Sequence, residues 1–478
     1  MSVTVGWSAL LKPQWVPLLV ALVGGVLLHS MNVLMLATVL PSIVEDVGGT
    51  AMMSWPTTAF LASSIVAATC TGHLTARLGA RTAFCAGAVV FGIGALVCAV
   101  APSMGVVVAG RFVQGFGGGV LSAMAYVLVG NAFPEPMWPR VAALLSGAWS
   151  MSVLVGPMVG GAFATWGNWR GAFYAVTILA ALLAVVAARS LPRARAEKGG
   201  PVRIVPFGRV ALICLAIAVM STASVVSLPL AKLGLFLAAV VLLIAMILLD
   251  RRSTAPLFPS DAFSPRSVTG VAMTFALLVS IAYSPLSIFV PIFLQGLHGF
   301  DPLAAGYAVA GASMGWTVSS ILVSGWSPHA AGRMLVIGPL AMAVGLGGVA
   351  LLMATKPVLV LPVLIALVGL GIGTCWGFGV QRLMGGARQG EGALAASAVA
   401  TVQQTGFALG AAAAGIVATL AGLSRGLSTQ GIESAAFWVP VSFVPVALIA
   451  AVAGVRLALL AGRSDGKKQV VTEREQKI

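Results

Sequence analysis

The chain has 478 residues, of which 59% are hydrophobic and 8% charged, and its formal net charge is +15. A water-soluble domain keeps about a quarter of its residues charged to cover its surface, so this composition excludes a soluble enzyme or binding module and makes lipid the main solvent. Unpaired backbone groups cost several kcal/mol in hydrocarbon, which restricts spanning elements to helices or closed barrels. The apolar runs are about 20 residues long and do not alternate in polarity, so a barrel is excluded and an all-α membrane protein is expected.

Fourteen spans are predicted in chain order. Six come first, at 15–39, 53–73, 82–101, 104–128, 140–163 and 170–189. A central pair follows at 208–229 and 231–249, its first member diluted by Ser221, Thr222, Ser224 and Ser227 and its second unbroken from Leu233 to Leu249 apart from Gly234. Six more lie at 267–294, 303–325, 332–354, 357–380, 392–421 and 436–461. These predict a six-helix bundle over 1–189, cytoplasmic linkers and a two-helix insert over 190–266, a second six-helix bundle over 267–461 and a cytoplasmic tail over 462–478. The first apolar run, Pro13 to Pro41, is too long for the apolar segment of a cleavable signal, so no leader is expected.

Charge sets the orientation. All but five of the 27 Lys and Arg fall in alternate loops and tails; Arg170, Lys232, Lys356 and Arg425 lie on the opposite side and Arg111 lies inside a span. Basic residues near span ends resist translocation, so both termini are expected in the cytosol and the chain in the inner membrane. Basic residues scattered over short loops suit anionic lipid rather than nucleic acid. The five cysteines (Cys70, Cys85, Cys98, Cys214, Cys375) sit in apolar runs at spacings of no metal motif, and neither metal nor other cofactor is expected.

Several segments carry recognisable patterns. Gly72-His-Leu-Thr-Ala-Arg77-Leu-Gly79-Ala-Arg81 joins the second and third spans, with glycines for a tight turn and arginines to hold it in the cytosol. In the fourth span, Arg111-Phe-Val-Gln114-Gly115-Phe-Gly-Gly-Gly119 places Arg111 and Gln114 three apart on one face. An arginine at this depth is costly unless it meets partners or a cavity; at 1.5 Å per residue it lies about 10 Å from the outer end, near enough to snorkel. The fifth span contains Ser152-Val-Leu-Val-Gly156-Pro157-Met-Val-Gly160-Gly161, small residues four apart that admit close helix packing beside a proline bend.

These segments resemble the loop motif, the R-x-x-Q-G motif and the antiporter motif of the major facilitator superfamily. With the six, two, six arrangement, they are most similar to its fourteen-helix drug:proton antiporter branch. Val290-Pro291-Ile-Phe-Leu-Gln295-Gly resembles its ninth span, and Gly390-Glu-Gly-Ala-Leu-Ala-Ala-Ser397 with Gln403-Gln404-Thr-Gly406-Phe-Ala-Leu-Gly410 its thirteenth. The resemblance implies two six-helix bundles, related as parallel repeats, plus a central pair of helices, and secondary transport by alternating access in the direction of drug efflux. It makes Gly72, Arg77, Gly79, Arg81, Gly156, Pro157, Gly160 and Gly161 conformational residues.

Two departures matter. Ala76 stands where the family's loop motif has an aspartate, and Asn32 where its first span carries a proton-coupling aspartate. All twelve acidic residues lie in loops, tails or span edges, which disfavours lipophilic cations as cargo. His29 is the one histidine within a span, one turn before Asn32, and an imidazole exchanges its proton near neutral pH, so it is the candidate proton carrier; a neutral histidine bonded between helices is the plain alternative. A protonated His29 beside Arg111 would attract an anion and couple as symport, so an exchanger fits a neutral or zwitterionic substrate, whereas an anion held by Arg111 could leave under the membrane potential.

The candidate substrate and proton pathway is His29, Asn32, Arg111, Gln114, Tyr126, Trp149, Tyr283, Gln295, Gln403 and Gln404, with Trp316 and Trp376 as further aromatic candidates. The expected function is export of small amphiphilic neutral, zwitterionic or anionic organic molecules by a monomer driven by protons or membrane potential. A proton-linked importer of a small organic anion is the alternative. An integral membrane enzyme is disfavoured, because the other histidines (His73, His298, His329) are single and no acid, thiol and imidazole cluster exists.

Overall fold

A computed structural model describes residues 7–10, 12–48, 52, 55–191, 207–226, 228–253, 256–300, 302–355, 360–423 and 429–475. Asp301, Lys356, Arg425 and the basic stretch 193–198 lie outside the described residues, as do the side chains of His329 and of 463–475.

The described residues form α1 (Val16–Val47), α2 (Trp55–Leu78), α3 (Ala80–Ala99), α4 (Met104–Ala132), α5 (Trp138–Thr165), α6 (Trp169–Ser190), α7 (Phe207–Val225), α8 (Pro229–Arg251), α9 (Val268–His298), α10 (Pro302–Val323), α11 (Pro328–Leu352), α12 (Val360–Gly385), α13 (Gly392–Leu420) and α14 (Thr429–Glu475). Twelve of these are long and apolar enough to cross a membrane, by length and composition. The two that fall short are α7, whose apolar part is the shorter Gly208–Met220, and α13, which carries Gln403 and Gln404 at its middle.

Local chemistry sets the helix ends. Gly79 stops α2 with a left-handed φ of 77° while its N–H donates to Thr75 O at 2.9 Å, so α3 restarts one residue later. The side chains of Asn168 and Ser267 cap α6 and α9, accepting from Gly171 N at 3.1 Å and Gly270 N at 3.0 Å. α9 closes on Gly299, also left-handed. Prolines lie inside α5 (Pro157), α9 (Pro285, Pro291), α11 (Pro339) and α14 (Pro440, Pro445).

The chain divides into two compact units. One comprises Val5–Ser260 with Gly390–Thr405; the other comprises Asp261–Gln389 with Gly406–Ile478. α13 therefore gives its first part to one unit and its second part to the other.

Within each unit, glycines on the fourth helix bring backbones into contact. Gly115 and Gly119 of α4 lie against the carbonyls of Phe60 and Ser64 on α2, and Gly117 lies against Gly87 and Phe91 on α3. In the other unit, Gly369 and Gly373 of α12 lie against the carbonyls of Ala312 and Trp316 on α10, and Gly371 against Gly338 on α11. A Cβ at any of these would collide with main chain, so glycine is required for the approach. The fifth helix repeats the device. A Cβ at Gly156 or Gly160 of α5 would lie 2.9 or 2.8 Å from the carbonyls of Met31 and Met35 on α1. At Gly406 or Gly410 of α13 it would lie 2.9 or 2.6 Å from those of Leu277 and Ile281 on α9. The two units thus share one internal plan, as parallel repeats require.

Charged groups at helix ends fix loops. Asp250, at the end of α8, is 2% exposed; it pairs with Arg209 of α7 and accepts from the N–H groups of Leu257 and Phe258 at 2.9 Å. Glu391 accepts from Ser260 N at 3.2 Å, just before α13. Asp46, at the end of α1, pairs with Arg170 and accepts from Trp169 Nε1 at 3.1 Å, while Arg170 also donates to Ala101 O at 2.9 Å and stacks on Trp169.

Candidate functional site

In the first unit the fourth helix presents Arg111 and Gln114 one turn apart, and α1 presents His29 and Asn32 one turn apart. The structure brings these four together. Arg111 is 1% exposed, and it donates through Nη1 to Asn32 Oδ1 and to Gln114 Oε1 at 2.8 Å, and through Nε to the Pro56 carbonyl at 3.3 Å. Its guanidinium lies 4.1 Å from the centroid of Phe60, one turn beyond Pro56 on α2. Snorkelling is therefore not how this arginine is accommodated: its head is buried among neutral acceptors and an aromatic face.

His29 shares that ring. Its imidazole stacks on Phe60 at 5.3 Å between centroids and meets the edge of Trp149 on α5 at 6.2 Å. Gly118 makes room for it, since a Cβ there would lie 2.6 Å from His29 Nδ1. Three buried polar atoms of this cluster have no hydrogen-bond partner: His29 Nδ1, Asn32 Nδ2 and Gln114 Nε2. A buried polar group left unpaired costs about 1–3 kcal/mol, so three in one place mark a region shaped for something other than packing.

One helical turn along α2 from Phe60, Ser64 donates to Gln404 Oε1 at 2.9 Å, while Gln404 Nε2 has no partner. Thr69 donates to Thr401 at 3.4 Å about a turn and a half further on. Gln403 is buried without joining the cluster. Tyr126 is buried in α4 about 22 Å along the axis from Arg111 at 1.5 Å per residue.

The second unit holds a separate aromatic group. Tyr283 of α9 packs edge-on to Trp316 of α10 at 5.3 Å and against Phe407 of α13 at 6.1 Å, and Trp316 meets Trp376 of α12 at 5.9 Å. The Trp316 indole N–H is buried and unpartnered. Gln295 lies near the end of α9 with its side chain exposed.

The motif residues divide by role. Gly156 and Gly160 seat α5 on α1, and Ser152, one turn earlier, reaches Ser30 of α1 at 2.5 Å between hydroxyl oxygens. Pro157 lies in the same helix, and Gly161 faces open space. Gly72 faces Leu394 and Ser397 of α13, where a Cβ would come within 3.0 and 3.1 Å. Arg77 is exposed and Arg81 half-buried, flanking the Gly79 turn. Sequence reasoning missed Phe60, the shared ring, and the Ser30–Ser152 contact. Phe60 is one of 20 phenylalanines with nothing local to mark it, although its spacing of four from Pro56 and from Ser64 was readable.

Comparison with known proteins places this arrangement. The family model described as Major Facilitator Superfamily matches residues 22–411. The probable multidrug-efflux transporter Rv1634 of Mycobacterium tuberculosis is 34% identical over 88% of this chain and 91% of its own length. The multidrug transporter protein MdtP of Bacillus subtilis is 25% identical over 74% of this chain and 66% of its own. The tetracenomycin C resistance and export protein of Streptomyces glaucescens is 28% identical over 86% and 77%. Among solved structures, the human organic anion transporter MFSD10 superposes with a TM-score of 0.67 over 93% of this chain and all of that one, at 16% identity, a likeness of fold alone. With an all-helical fold and twelve candidate spans among the described residues, the chain is a multi-pass membrane transporter, and it belongs to the Major Facilitator Superfamily.

Proposed function

We propose that this protein exports small amphiphilic organic molecules, neutral, zwitterionic or anionic, by alternating access, and that proton exchange at His29 powers the cycle. The observation that carries the reading is the cluster of Arg111, Asn32, Gln114 and His29, buried on α1 and α4 with three unpartnered polar atoms. Polar groups of this kind inside a membrane protein lie where cargo or ions pass. Export is supported by relatives named for multidrug efflux and for tetracenomycin C export, and by the Ser152–Gly156–Gly160 seam between α5 and α1.

In this reading α7 and α13 also cross the bilayer, giving the fourteen helices of the drug:proton antiporter branch. Support comes from their lengths, 19 and 29 residues, and from the match of the α13 glycine contacts to those of α5. The helices then form two six-helix bundles and a central pair, in a monomer of the inner membrane with both termini in the cytosol. His29 is the carrier in this reading because an imidazole exchanges its proton near neutral pH and its buried Nδ1 is left without a partner.

A second reading is proton-linked import of an organic anion. It is favoured by His29 and Arg111 sharing one aromatic ring, since protonation there would draw an anion in with the proton.

The test is uptake of neutral, anionic and cationic compounds into inside-out vesicles with and without a pH gradient, for wild type and His29→Ala. Gradient-dependent uptake that the substitution abolishes supports export by exchange. Gradient-dependent loss of cargo from preloaded vesicles supports import. Uptake that survives the substitution and follows the membrane potential removes His29 from the mechanism.

A further inference from the structure

We infer that the transported compound supplies the missing counter-charge of Arg111: the site takes an anionic group, a carboxylate or sulfonate on an otherwise apolar body. This rests on the export reading above in its direction, with the membrane potential rather than proton exchange driving an anion outward, and it narrows the cargo.

The inference begins with charge. A guanidinium out of water needs a compensating negative charge, and Arg111 at 1% exposure has only neutral acceptors: the Pro56 carbonyl and the amide oxygens of Asn32 and Gln114. The ion pairs of Arg170 with Asp46 and of Arg209 with Asp250 lie at helix ends, and neither includes Arg111.

The hydrogen-bond inventory points the same way. Because Asn32 Oδ1 and Gln114 Oε1 both face the guanidinium, the groups left over are their amide nitrogens, which only donate. Asn32 Nδ2 and Gln114 Nε2 are buried and unpartnered, and Arg111 Nη2 donates to none of the described residues. A ligand meeting this cluster finds donors and a positive charge. A cation would be repelled by Arg111, and the amide groups left over offer it no acceptor. A neutral carbonyl would take one donor, whereas a carboxylate or sulfonate offers several lone pairs and cancels the charge. The apolar neighbours, Phe60 and Trp149, then suit the remainder of an amphiphile.

Asn32→Asp tests this directly, because it places a carboxylate on the guanidinium and fills the need for a counter-charge from within. Inside-out vesicles would be given radiolabelled naphthylacetate, its methyl ester and ethidium. Wild type should carry the acid in preference to the ester and to ethidium, and Asn32→Asp should lower the acid-to-ester flux ratio at least tenfold. Equal transport of acid and ester by wild type, or an unchanged ratio in Asn32→Asp, overturns the inference while leaving export standing.

If wild type carries none of the three, the export reading fails for this cargo, and binding to purified protein in detergent decides the inference. Naphthylacetate that saturably quenches tryptophan fluorescence in wild type, and at least tenfold more weakly in Asn32→Asp, supports it; no binding, or equal binding, overturns it. Should Asn32→Asp not fold, as judged by size-exclusion chromatography, Gln114→Glu sets the same charge on Arg111 from its own helix and is read identically.

Discussion

Gly118→Ala tests where the His29 ring sits, and its cost follows from the distances. The new Cβ would lie 2.6 Å from His29 Nδ1, 3.2 Å from Phe91 Cε2 and 3.3 Å from Phe60 Cζ. Ordinary van der Waals contact begins at 3.4 Å, so the imidazole must retreat by about 0.8 Å while both phenyl rings yield slightly. Overpacking of this kind costs about 1–3 kcal/mol, and the gain in helix propensity from Gly to Ala returns about 1 kcal/mol. The net expectation is a loss of about 0–2 kcal/mol, with His29 as the main obstacle. In His29→Ala the obstacle is gone, so adding Gly118→Ala should stabilise that protein by up to about 1 kcal/mol. The assay is a double-mutant cycle on the thermal midpoint in detergent, with Gly161→Ala as a control in open space. If Gly118→Ala costs the same in both backgrounds, the His29 ring is not against Gly118 and the geometry of the cluster is wrong. The same displacement should lower transport by about 10- to 100-fold, since a shift near 1 Å misaligns a reacting group to that extent.

Ser152→Ala removes the Ser30 contact but not the glycine seam, and should cost about 1 kcal/mol in the same melt, with expression unchanged. Asp250→Asn weakens the pair with half-buried Arg209 and should destabilise by about 3–5 kcal/mol, the range for losing one partner of a buried pair; faster tryptic cleavage at Arg252 would report the loosened linker. Hydrogen bonds from Arg170 and then Trp169 hold the Asp46 carboxyl below its ordinary value of 3.8. Its contribution is therefore present above that value and lost as pH falls through the lower folded value. Asp46→Asn should weaken the protein at neutral pH and flatten its acid unfolding curve, and a curve identical to wild type would dismiss the pair as a surface ornament.

The helices were legible because hydrophobic runs of spanning length have few alternatives in lipid. The ends were less so. α1 continues to Val47 through Glu45 and Asp46, and α14 begins at Thr429 and runs to Glu475, because polar residues end an apolar run without ending the backbone hydrogen-bond ladder. The cluster was legible as far as helical spacing reaches: His29 with Asn32, and Arg111 with Gln114. That the two pairs meet depends on α1 against α4, and that Arg111 and His29 both use Phe60 depends on α2, neither of which one helix's sequence encodes. Glutamine at a predicted span end read as pathway at Gln295, which is exposed. The glycine-rich stretch 115–119 read as part of the R-x-x-Q-G pattern, and nothing in it showed the division of labour among its glycines. Gly115 and Gly119 face α2, Gly117 faces α3 and Gly118 faces His29, because successive residues on a helix point about 100° apart.

Backbone-to-backbone seams also have a mechanical meaning. Side chains can change rotamer to take up a small displacement, but a carbonyl seated on a glycine has no torsion to spare. α4 with α2 and α3, and α12 with α10 and α11, should therefore each travel as a stiff plate. Bending in a transport cycle then falls to the proline-bearing helices outside these plates, α5, α9 and α14, which have already given up part of their hydrogen-bond ladder. α9, with Pro285 and Pro291 on either side of a single turn and a half, is the natural spring of its unit.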